Sequence, residues 1–319
     1  MTTLKKEVTI GILAYPGAQA AAVEGLVDLL ETAQRLRSNN DENGPELSVR
    51  KVLAERSVPA VPDKPFTVLV LPPSLSEGAA DVQPGPLTSF ILDRHREGTL
   101  LCSVCAGAFL LGTTGLLSGR PATTHWALRD RFAERFPNVR LDTQKLLIDD
   151  GDIVTAGGVM AWIDLGLLLV SRFLGPTKML ATARLWVVDP GGREQRFYDC
   201  FAPVLTHGDE AILRVQHWLH AKRTERIDMP TMARVAKLGE RTFLRRFHRA
   251  TGHTPIEYLL LLRIERAREL LERSTQSFDE IAFGLGYADP GSFRRVFVSA
   301  LGLTPGEYRR RFNVVRSRF

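Results

Sequence analysis

The 319 residues are 44% hydrophobic and 24% charged, which is the composition of a globular chain with material for two domain cores. No apolar run approaches the roughly 18 residues that a membrane helix needs, no signal peptide is recognised, and three cysteines are too few for a disulfide framework, so we expect a cytoplasmic protein without membrane contact. The net charge of +6 is uneven, since residues 206–319 carry +8 and the remainder −2, which predicts either a nucleic-acid-binding module in the last third or a solvated basic face.

Apolar runs alternate with helical patterns over the first half of the chain. VTIGILAYPG (8–17) predicts a first buried strand, FTVLVLPPS (66–74) a second and TLLCSV (99–104) a third. The helix that follows the first strand has one apolar face, formed by Val23, Leu26, Val27, Leu30 and Ala33. This alternation predicts an α/β domain with a doubly wound parallel sheet and helices on both faces.

Ligands of such sheets bind at the carboxyl ends of the strands, so the strand ends predict a pocket. The candidate pocket residues are Tyr15, Pro72, Cys105, Ala106, His125 and Trp126, with Trp162 as a further aromatic wall. Core packing or a dimer contact is the alternative explanation for each of the aromatic residues.

The stretch LCSVCAGAFLLGTTGLLSGRPATTHW (101–126) predicts a strand, a sharp turn that carries Cys105, a helix and then His125. Cys102 and Cys105 form a C-x-x-C pattern, which leaves a redox pair open. Cys102, however, lies inside an apolar run and is better explained as a strand residue that faces a core. Cys200 lies in a segment without helical or strand periodicity, and no partner is indicated for it.

This order of features, with the strand-turn-helix pattern of TAGGVMAWIDLGLLLV (155–170), resembles the class I glutamine amidotransferase-like superfamily over roughly residues 8–174, and most of all the branch fused to AraC-type domains. The resemblance implies a flavodoxin-like fold. In catalytic relatives a thiolate on the turn, a His and an acid form the active site, and Cys105 and His125 match the first two. The acid has no clear match, because Ala22 stands at one family position for it and no His-x-Glu pair follows His125.

We therefore expect no enzymatic activity, no cofactor and no metal site. The N–H groups of the turn and the helix dipole are expected to receive a small anionic or zwitterionic effector, with Cys105 as a wall of its pocket. A cysteine-dependent hydrolase or amidotransferase with an accessory DNA-binding domain is the alternative, and a redox-sensing role of Cys105 also stays open.

Helical periodicity breaks in LWVVDPGGREQRFYDCFAPVLTHGDE (185–210), which contains Asp-Pro-Gly-Gly and a later proline. We place a connector at 189–208. It separates an α/β effector and dimerisation domain at 1–188 from an all-α domain at 209–319.

A unit of about fifty residues occurs twice in the last third of the chain. FLRRFHRATGHTPIEY (243–258) aligns with FRRVFVSALGLTPGEY (293–308) at an offset of 50, and the segments 232–238 and 281–287 align upstream at an offset of 49. Each copy predicts a short apolar helix, a tight turn and a second helix, which together form a helix-turn-helix unit.

The second helix of each copy has an aromatic inner stripe and a basic outer stripe. The inner residues are Phe243 and Phe247 in the first copy and Phe293 and Phe297 in the second, and the outer arginines are Arg241, Arg245 and Arg246, then Arg294 and Arg295. We expect Gly239 and Gly286 to supply a positive φ in the two turns. The helix predicted for 255–274 would hold the units one duplex turn apart, so that both enter the major groove from one side.

The segment from about Asp209 to Phe312 resembles the AraC/XylS-type DNA-binding domain over its whole length, and IAFGLGYADPGSFRRVF (281–297) is the most specific match. The resemblance implies seven helices and sequence-specific transcriptional regulation, with the first turns of both recognition helices against base edges. The matching positions are Arg241, Thr242 and Arg245 in the first copy and Ser292, Arg294 and Arg295 in the second. A phosphate contact or a solvated charge is the alternative for each of them.

The two halves together predict a transcriptional regulator that binds double-stranded promoter or operator DNA and responds to a small, nitrogen-containing metabolite. A homodimer is expected, and RNA polymerase is a candidate partner. An architectural DNA-binding protein without an effector is the remaining alternative.

Overall fold

The computed structural model describes residues 7–36, 45–54, 59, 65–225 and 227–315. It divides into two compact units, Met1–Arg196 and Phe197–Phe319, and the division falls inside the expected connector at 189–208. None of the described helices is both long enough and apolar enough to cross a lipid bilayer.

The described part of the first unit is an α/β fold. Its strands are β1 (Glu7–Ala14), β2 (Glu46–Leu53), β3 (Val68–Leu71), β4 (Leu100–Val104), β5 (Pro121–Ala122), β6 (Arg140–Leu141), β7 (Leu147–Asp149) and β8 (Ile153–Ala156). Its helices are α1 (Ala20–Arg35), α2 (Pro86–Arg96), α3 (Gly107–Gly112), α4 (Arg129–Arg135), α5 (Trp162–Leu174) and α6 (Pro176–Trp186).

The main sheet has the strand order β2-β1-β3-β4-β8-β7, and its strands are parallel except for β7, which runs antiparallel to β8. Alternate strand residues face opposite sides of the sheet, so Ile10 and Ile12 pack with α1 and α5, whereas Leu13 and Leu69 pack with α2 and α3. The doubly wound parallel sheet predicted from the alternation of strands and helices is confirmed.

Two strands of this sheet were not predicted, β2 and the short antiparallel β7. β2 lies at the edge of the sheet beside β1, and it contains Arg50 and Lys51, which are both exposed. The run at 66–74, expected to be the second strand, is therefore the third in chain order. An edge strand that carries charges lacks the continuous apolar run by which the buried strands were recognised.

The second unit is helical. Within its described residues the chain forms the seven helices that the family resemblance implies: α7 (Glu210–Lys222), α8 (Met229–Ala236), α9 (Glu240–Thr251), α10 (Pro255–Arg273), α11 (Phe278–Gly284), α12 (Pro290–Leu301) and α13 (Pro305–Phe312). The helices α8 and α9 form the first helix-turn-helix unit, and α11 and α12 form the second.

Each helix-turn-helix unit has its own hydrophobic core, and α10 contributes to both. The inner aromatic residues of α9 and α12 are fully buried, as predicted: Phe243, Phe247, Phe293 and Phe297. Tyr258 and Tyr308, which occupy equivalent places in the repeat, are also buried, one in each core. The repeat found in the sequence is thus a repeat of packing.

The prediction for the first turn is wrong in one respect. Gly239 precedes α9 with φ −68°, and the positive φ of this turn belongs to Lys237 at 57°. Lys237 aligns with Gly286, whose φ is 83°, at the upstream offset of 49. Both turns therefore use the same left-handed position after the first helix.

Candidate nucleic-acid interface and strand-end site

The first turns of α9 and α12 present equivalent polar residues. At the offset of 50, Thr242 corresponds to Ser292 and Arg245 to Arg295. The α12 turn is fixed by Asp289, whose carboxylate accepts hydrogen bonds from the N–H groups of Gly291 and Ser292, both at 2.9 Å. These hydrogen bonds satisfy two of the N–H groups at the N-terminus of α12.

The arginines on these faces differ in what they already bind. Arg241, Arg245 and Arg295 are exposed, and none of them forms an ion pair within the part of the chain that the structure describes. These three arginines are available for an external acceptor. A guanidinium group can donate two hydrogen bonds at once to the major-groove edge of a guanine or to a phosphate.

Arg294 is exposed but engaged. It donates to Asp279 of α11 at 2.8 Å, and its guanidinium lies 5.2 Å from the centre of the Phe278 ring. The equivalent position in the first copy is Leu244, which carries no charge. An exposed ion pair of this kind contributes little to stability, so a stronger acceptor can replace Asp279.

Arg246, assigned to the basic stripe from its spacing, serves a structural contact. Its guanidinium donates two hydrogen bonds to Asp209, at 2.9 and 2.7 Å, and Asp209 also caps the N-terminus of α7. The hydrogen bonds from Arg246 hold the pKa of Asp209 below its ordinary value. Ser292 is half-buried, and its hydroxyl donates to the Asp289 carbonyl at 3.1 Å.

The parallel order β1-β3-β4-β8 brings the ends of neighbouring strands together at one edge of the first unit. Tyr15 follows β1 and donates its hydroxyl to the carbonyl of Pro72, after β3, at 2.6 Å. Burial raises the pKa of the Tyr15 hydroxyl, and the neighbouring Cys105 thiol adds to the rise. Tyr15 thus lies across the strand ends, over a floor that includes the buried Pro72, Cys105 and Ala106.

Cys105 has the backbone of a nucleophile turn. Its φ is 54°, and its N–H donates to the Ala156 carbonyl at 2.7 Å, which continues the pairing of β4 with β8. The turn also needs Gly107, because a Cβ there would lie 2.5 Å from the carbonyl oxygen of Leu71. The sharp turn after a strand that the sequence predicts at Cys105 is therefore found in the structure.

The chemistry of Cys105 is that of a protonated thiol. Burial raises its pKa to about 11, although a hydrogen bond from the N–H of Ala106 acts in the opposite direction. The helix that follows it, α3, is six residues long, so its dipole is small. The Cys105 N–H, moreover, is already paired within the sheet. These features argue against nucleophilic attack by Cys105 and against strong anion binding at the turn.

His125 lies near the strand ends, because the hydroxyl of its neighbour Thr124 donates to the Cys105 carbonyl at 2.8 Å. The Nδ1 atom of His125 accepts from the Ala127 N–H at 3.1 Å, which places the ring proton of the neutral imidazole on Nε2. In that tautomer Nε2 is a donor and does not act as a base towards a thiol. Trp126 lies beside the imidazole, with 5.4 Å between the ring centroids.

Sequence reasoning missed Gln195, which lies in the expected connector. Its side chain is buried; Nε2 donates to the Thr123 hydroxyl at 3.1 Å and to the carbonyls of Thr124 at 2.9 Å and Lys145 at 3.0 Å. Its Oε1 accepts from the Trp126 N–H at 3.1 Å. The connector is thereby fixed to the segment that carries His125. A glutamine in a Gly-rich stretch gives no sequence signal of such burial.

A cavity of about 460 Å³ in the first unit lies away from Cys105, between α5, α6 and residues 190–194. Its apolar wall is formed by Leu146, Leu147, Leu167, Leu168 and Met179. For metals, the described segments contain no group of three or more His, Cys, Asp or Glu side chains that could hold an ion.

Two family models match the chain. Residues 232–311 match a helix-turn-helix domain, HTH_18, and residues 29–172 match the DJ-1/PfpI family. These matches agree with the helical second unit and the α/β first unit.

Similar proteins include regulators and one enzyme. The HTH-type transcriptional regulator GlxA of Rhizobium meliloti is 30% identical over 68% of this chain and 67% of its own length. The HTH-type transcriptional regulator GbdR of Pseudomonas aeruginosa is 27% identical over 69% of this chain, and the match spans 60% of that regulator. An isonitrile hydratase of Pseudomonas putida is 29% identical over 52% of this chain and 72% of the enzyme.

Proposed function

Because the chain belongs to the AraC-type helix-turn-helix transcriptional regulators with an N-terminal DJ-1/PfpI domain, we propose that it binds promoter or operator DNA in a sequence-specific manner and responds to a small metabolite. The helices α9 and α12 enter successive major grooves, and the first unit binds the effector without chemical turnover.

The observation that carries this proposal is the equivalence of Arg245 and Arg295. Both are exposed one turn into their helices, and neither is bound to a carboxylate in the described part of the chain. Each lies two residues after a fully buried phenylalanine, Phe243 or Phe293, that fixes the helix in its core. Two such arginines, on equivalent helices of a repeated unit, fit a protein that binds two successive major grooves.

The other candidate positions are proposed to act around this pair. Thr242 and Ser292 contact bases or phosphates beside the arginines, and Arg241 acts in the first copy, where Gly291 is its counterpart. Arg294 exchanges Asp279 for a DNA acceptor on binding.

Selection of bound duplexes from a random pool tests the DNA-binding proposal. Arg245→Ala and Arg295→Ala should each relax the selected sequence in a different half of the site and cost about 1–3 kcal/mol on the preferred duplex. Arg249→Ala, one turn further along α9, serves as the control and should leave the selected sequence unchanged. Equal losses on every duplex would instead identify Arg245 and Arg295 as phosphate contacts.

For the effector we propose the strand-end site, with Tyr15, His125 and Trp126 as walls and Pro72, Cys105 and Ala106 as the floor. Two buried polar atoms of residues that follow β1 and β8, Gln19 Oε1 and Trp162 Nε1, have no hydrogen-bond partner in the described structure. A ligand that both donates and accepts hydrogen bonds, such as a nitrogen-containing metabolite, would satisfy them.

Thermal unfolding of the full chain with a panel of amines, amino acids and betaines tests this site. Ligand binding should raise the unfolding temperature of the wild type, and Trp126→Ala should reduce that rise. A uniform absence of stabilisation would contradict effector binding. We further propose a cytoplasmic homodimer that pairs through the first unit and works with RNA polymerase; sedimentation of the free protein tests the dimer.

A second candidate function is a cysteine-dependent hydrolase. The left-handed Cys105 on its turn and the relatedness to an isonitrile hydratase favour it, whereas the raised pKa of the thiol opposes it. Turnover of an amide, glyoxal or isonitrile substrate that disappears in Cys105→Ala would establish it.

A further inference from the structure

The two helix-turn-helix units are joined by a helix that passes from one core to the other. Leu262 of α10 packs in the first core and Ile264 in the second. Arg263 lies between them, at the crossing point. Because the two cores are separate clusters, a contact between the two helix-turn-helix units beside α10 can restrain the angle between them.

Arg263 makes such a contact. Its Nε donates to the carbonyl of Arg223 at 2.9 Å and its Nη2 to the carbonyl of Glu225 at 2.6 Å, so it binds the segment after α7, on the side of the first helix-turn-helix unit. Its guanidinium also lies 5.2 Å from the centre of the Tyr287 ring, which belongs to the second turn. One side chain therefore connects both helix-turn-helix units.

The contact reaches the second recognition helix through aromatic stacking. Tyr287 stacks on Phe293 of α12, with ring centroids 4.3 Å apart. Beside it, Gly286 approaches the same segment after α7, where a Cβ would lie 2.7 Å from the carbonyl oxygen of Thr224. The joint is thus formed by Arg263, Gly286 and Tyr287 against residues 223–225.

We propose that Arg263 is a positioning residue that sets the angle between α9 and α12, and hence the spacing at which two DNA half-sites are read. The inference rests on the proposed DNA binding. The cleft beside Arg263, of about 590 Å³, is flanked by the cap carboxylates Asp228 and Asp289. Arg263 already donates to two backbone carbonyls and lies against the Tyr287 ring, which favours a role within the protein over a backbone contact with DNA.

The test measures affinity against half-site spacing, with the full chain. Duplexes carry both selected half-sites at centre-to-centre spacings of about 8 to 13 base pairs, around a helical repeat of roughly 10.5, and others carry one half-site with the second scrambled. The wild type should prefer one spacing by roughly tenfold over its neighbours. Arg263→Ala should flatten this preference to within about threefold and keep the single-half-site affinity within about twofold.

Matched variants separate geometry from charge and from folding. Arg266→Ala removes an exposed arginine of the same helix, paired with Glu269, and should keep the spacing preference. Gly286→Ala should flatten the preference without removing a cation, because its Cβ displaces the segment at Thr224. Gly252→Ala imposes the same backbone strain, at φ 74°, with nothing within 4 Å, and should keep the preference.

An unchanged spacing preference in Arg263→Ala would overturn the proposal. So would an equal loss of affinity for one and two half-sites, since that result identifies Arg263 as a phosphate contact or a stabiliser of one unit. A wild type that binds no duplex selectively would refute the DNA-binding proposal as well, and this failure is recognisable because it appears before any variant is compared.

Discussion

Cys105 keeps the backbone of a nucleophile but not its electrostatics. A left-handed φ at a residue with a Cβ costs about 1–2 kcal/mol, so the surrounding sheet and turn must hold it in place. The same packing buries the thiol and raises its pKa to about 11. A thiolate nucleophile needs a lowered pKa, so the geometry and the reactivity of this residue point to different roles.

The raised pKa predicts slow alkylation of Cys105. At pH 8 a thiol of pKa about 11 is ionised in about one molecule in a thousand. Iodoacetamide followed by peptide mass spectrometry should label Cys200 first, because it is exposed and Cys105 is buried, although burial also raises the pKa of the Cys200 thiol. The labelling rate of Cys105 should rise up to pH 11. Cys200→Ser supplies the control. Rapid labelling of Cys105 near pH 7 would favour the hydrolase.

The residues that the sequence could identify are those whose role follows from local spacing. The Phe pairs and the arginines of α9 and α12 follow from helical periodicity, and the position of Cys105 follows from the end of a buried strand. Gln195 and Arg263 could not be found this way. Their partners lie up to 72 and 40 positions away in the sequence, and only the tertiary fold brings them together.

At the scale of the turn, the two helix-turn-helix units have the same left-handed backbone position but place different residues there. The left-handed position after the first helix is Lys237 in one copy and Gly286 in the other, and in each turn the next N–H donates to the carbonyl five residues back. The glycine is required in the second turn because the Thr224 carbonyl lies against it. Lys237 is exposed, so there the lysine is tolerated at a cost in backbone energy.

Lys237→Gly should therefore stabilise the first helix-turn-helix unit. Relief of the left-handed strain exceeds the extra entropy of glycine in the unfolded chain, and we expect a gain of about 0.5–1 kcal/mol. Hydrogen exchange of amides in α8 and α9 measures it locally. Lys237→Ala removes the same charge and keeps the strain, so it should show no comparable gain. Slower exchange in both variants would assign the effect to charge.

Other elements show where periodicity is sufficient. The buried strands β1, β3 and β4 were recognised as apolar runs, whereas the edge strand β2 was missed because exposed charged residues lie on both of its faces. Gly239 was assigned a positive φ from residue type alone. Gly239 instead precedes the first residue of α9, and the positive φ falls on Lys237, the residue directly after the end of α8. Residue type limits the conformations of a turn, but the helix ends decide which position needs the unusual one.

At the scale of the whole chain, the link between the two units is short. Gln195 is held in the first unit by four hydrogen bonds to residues 123–126 and 145. In the second unit, the carbonyl of Asp199 accepts from Arg268 of α10, and the N–H of Phe201 donates to Glu265 at 3.1 Å. Residues 196–198 alone lie between these anchors. The chain between the two anchors therefore has few rotatable bonds.

Lengthening this link should uncouple the units and leave each of them intact. Six Gly/Ser residues inserted between Arg196 and Phe197 add a flexible segment with an end-to-end distance of about 14 Å. DNA affinity without effector should stay within about twofold of wild type, because α9, α12 and the joint at Arg263 are untouched. A compound that stabilises the wild type should still raise the unfolding temperature of the first unit but should no longer change DNA affinity.

The same insertion at the exposed Gly151, in the turn between β7 and β8, should preserve the response. If the lengthened link keeps the full response, communication does not pass through residues 196–198, and dimer assembly becomes the remaining route from effector to DNA.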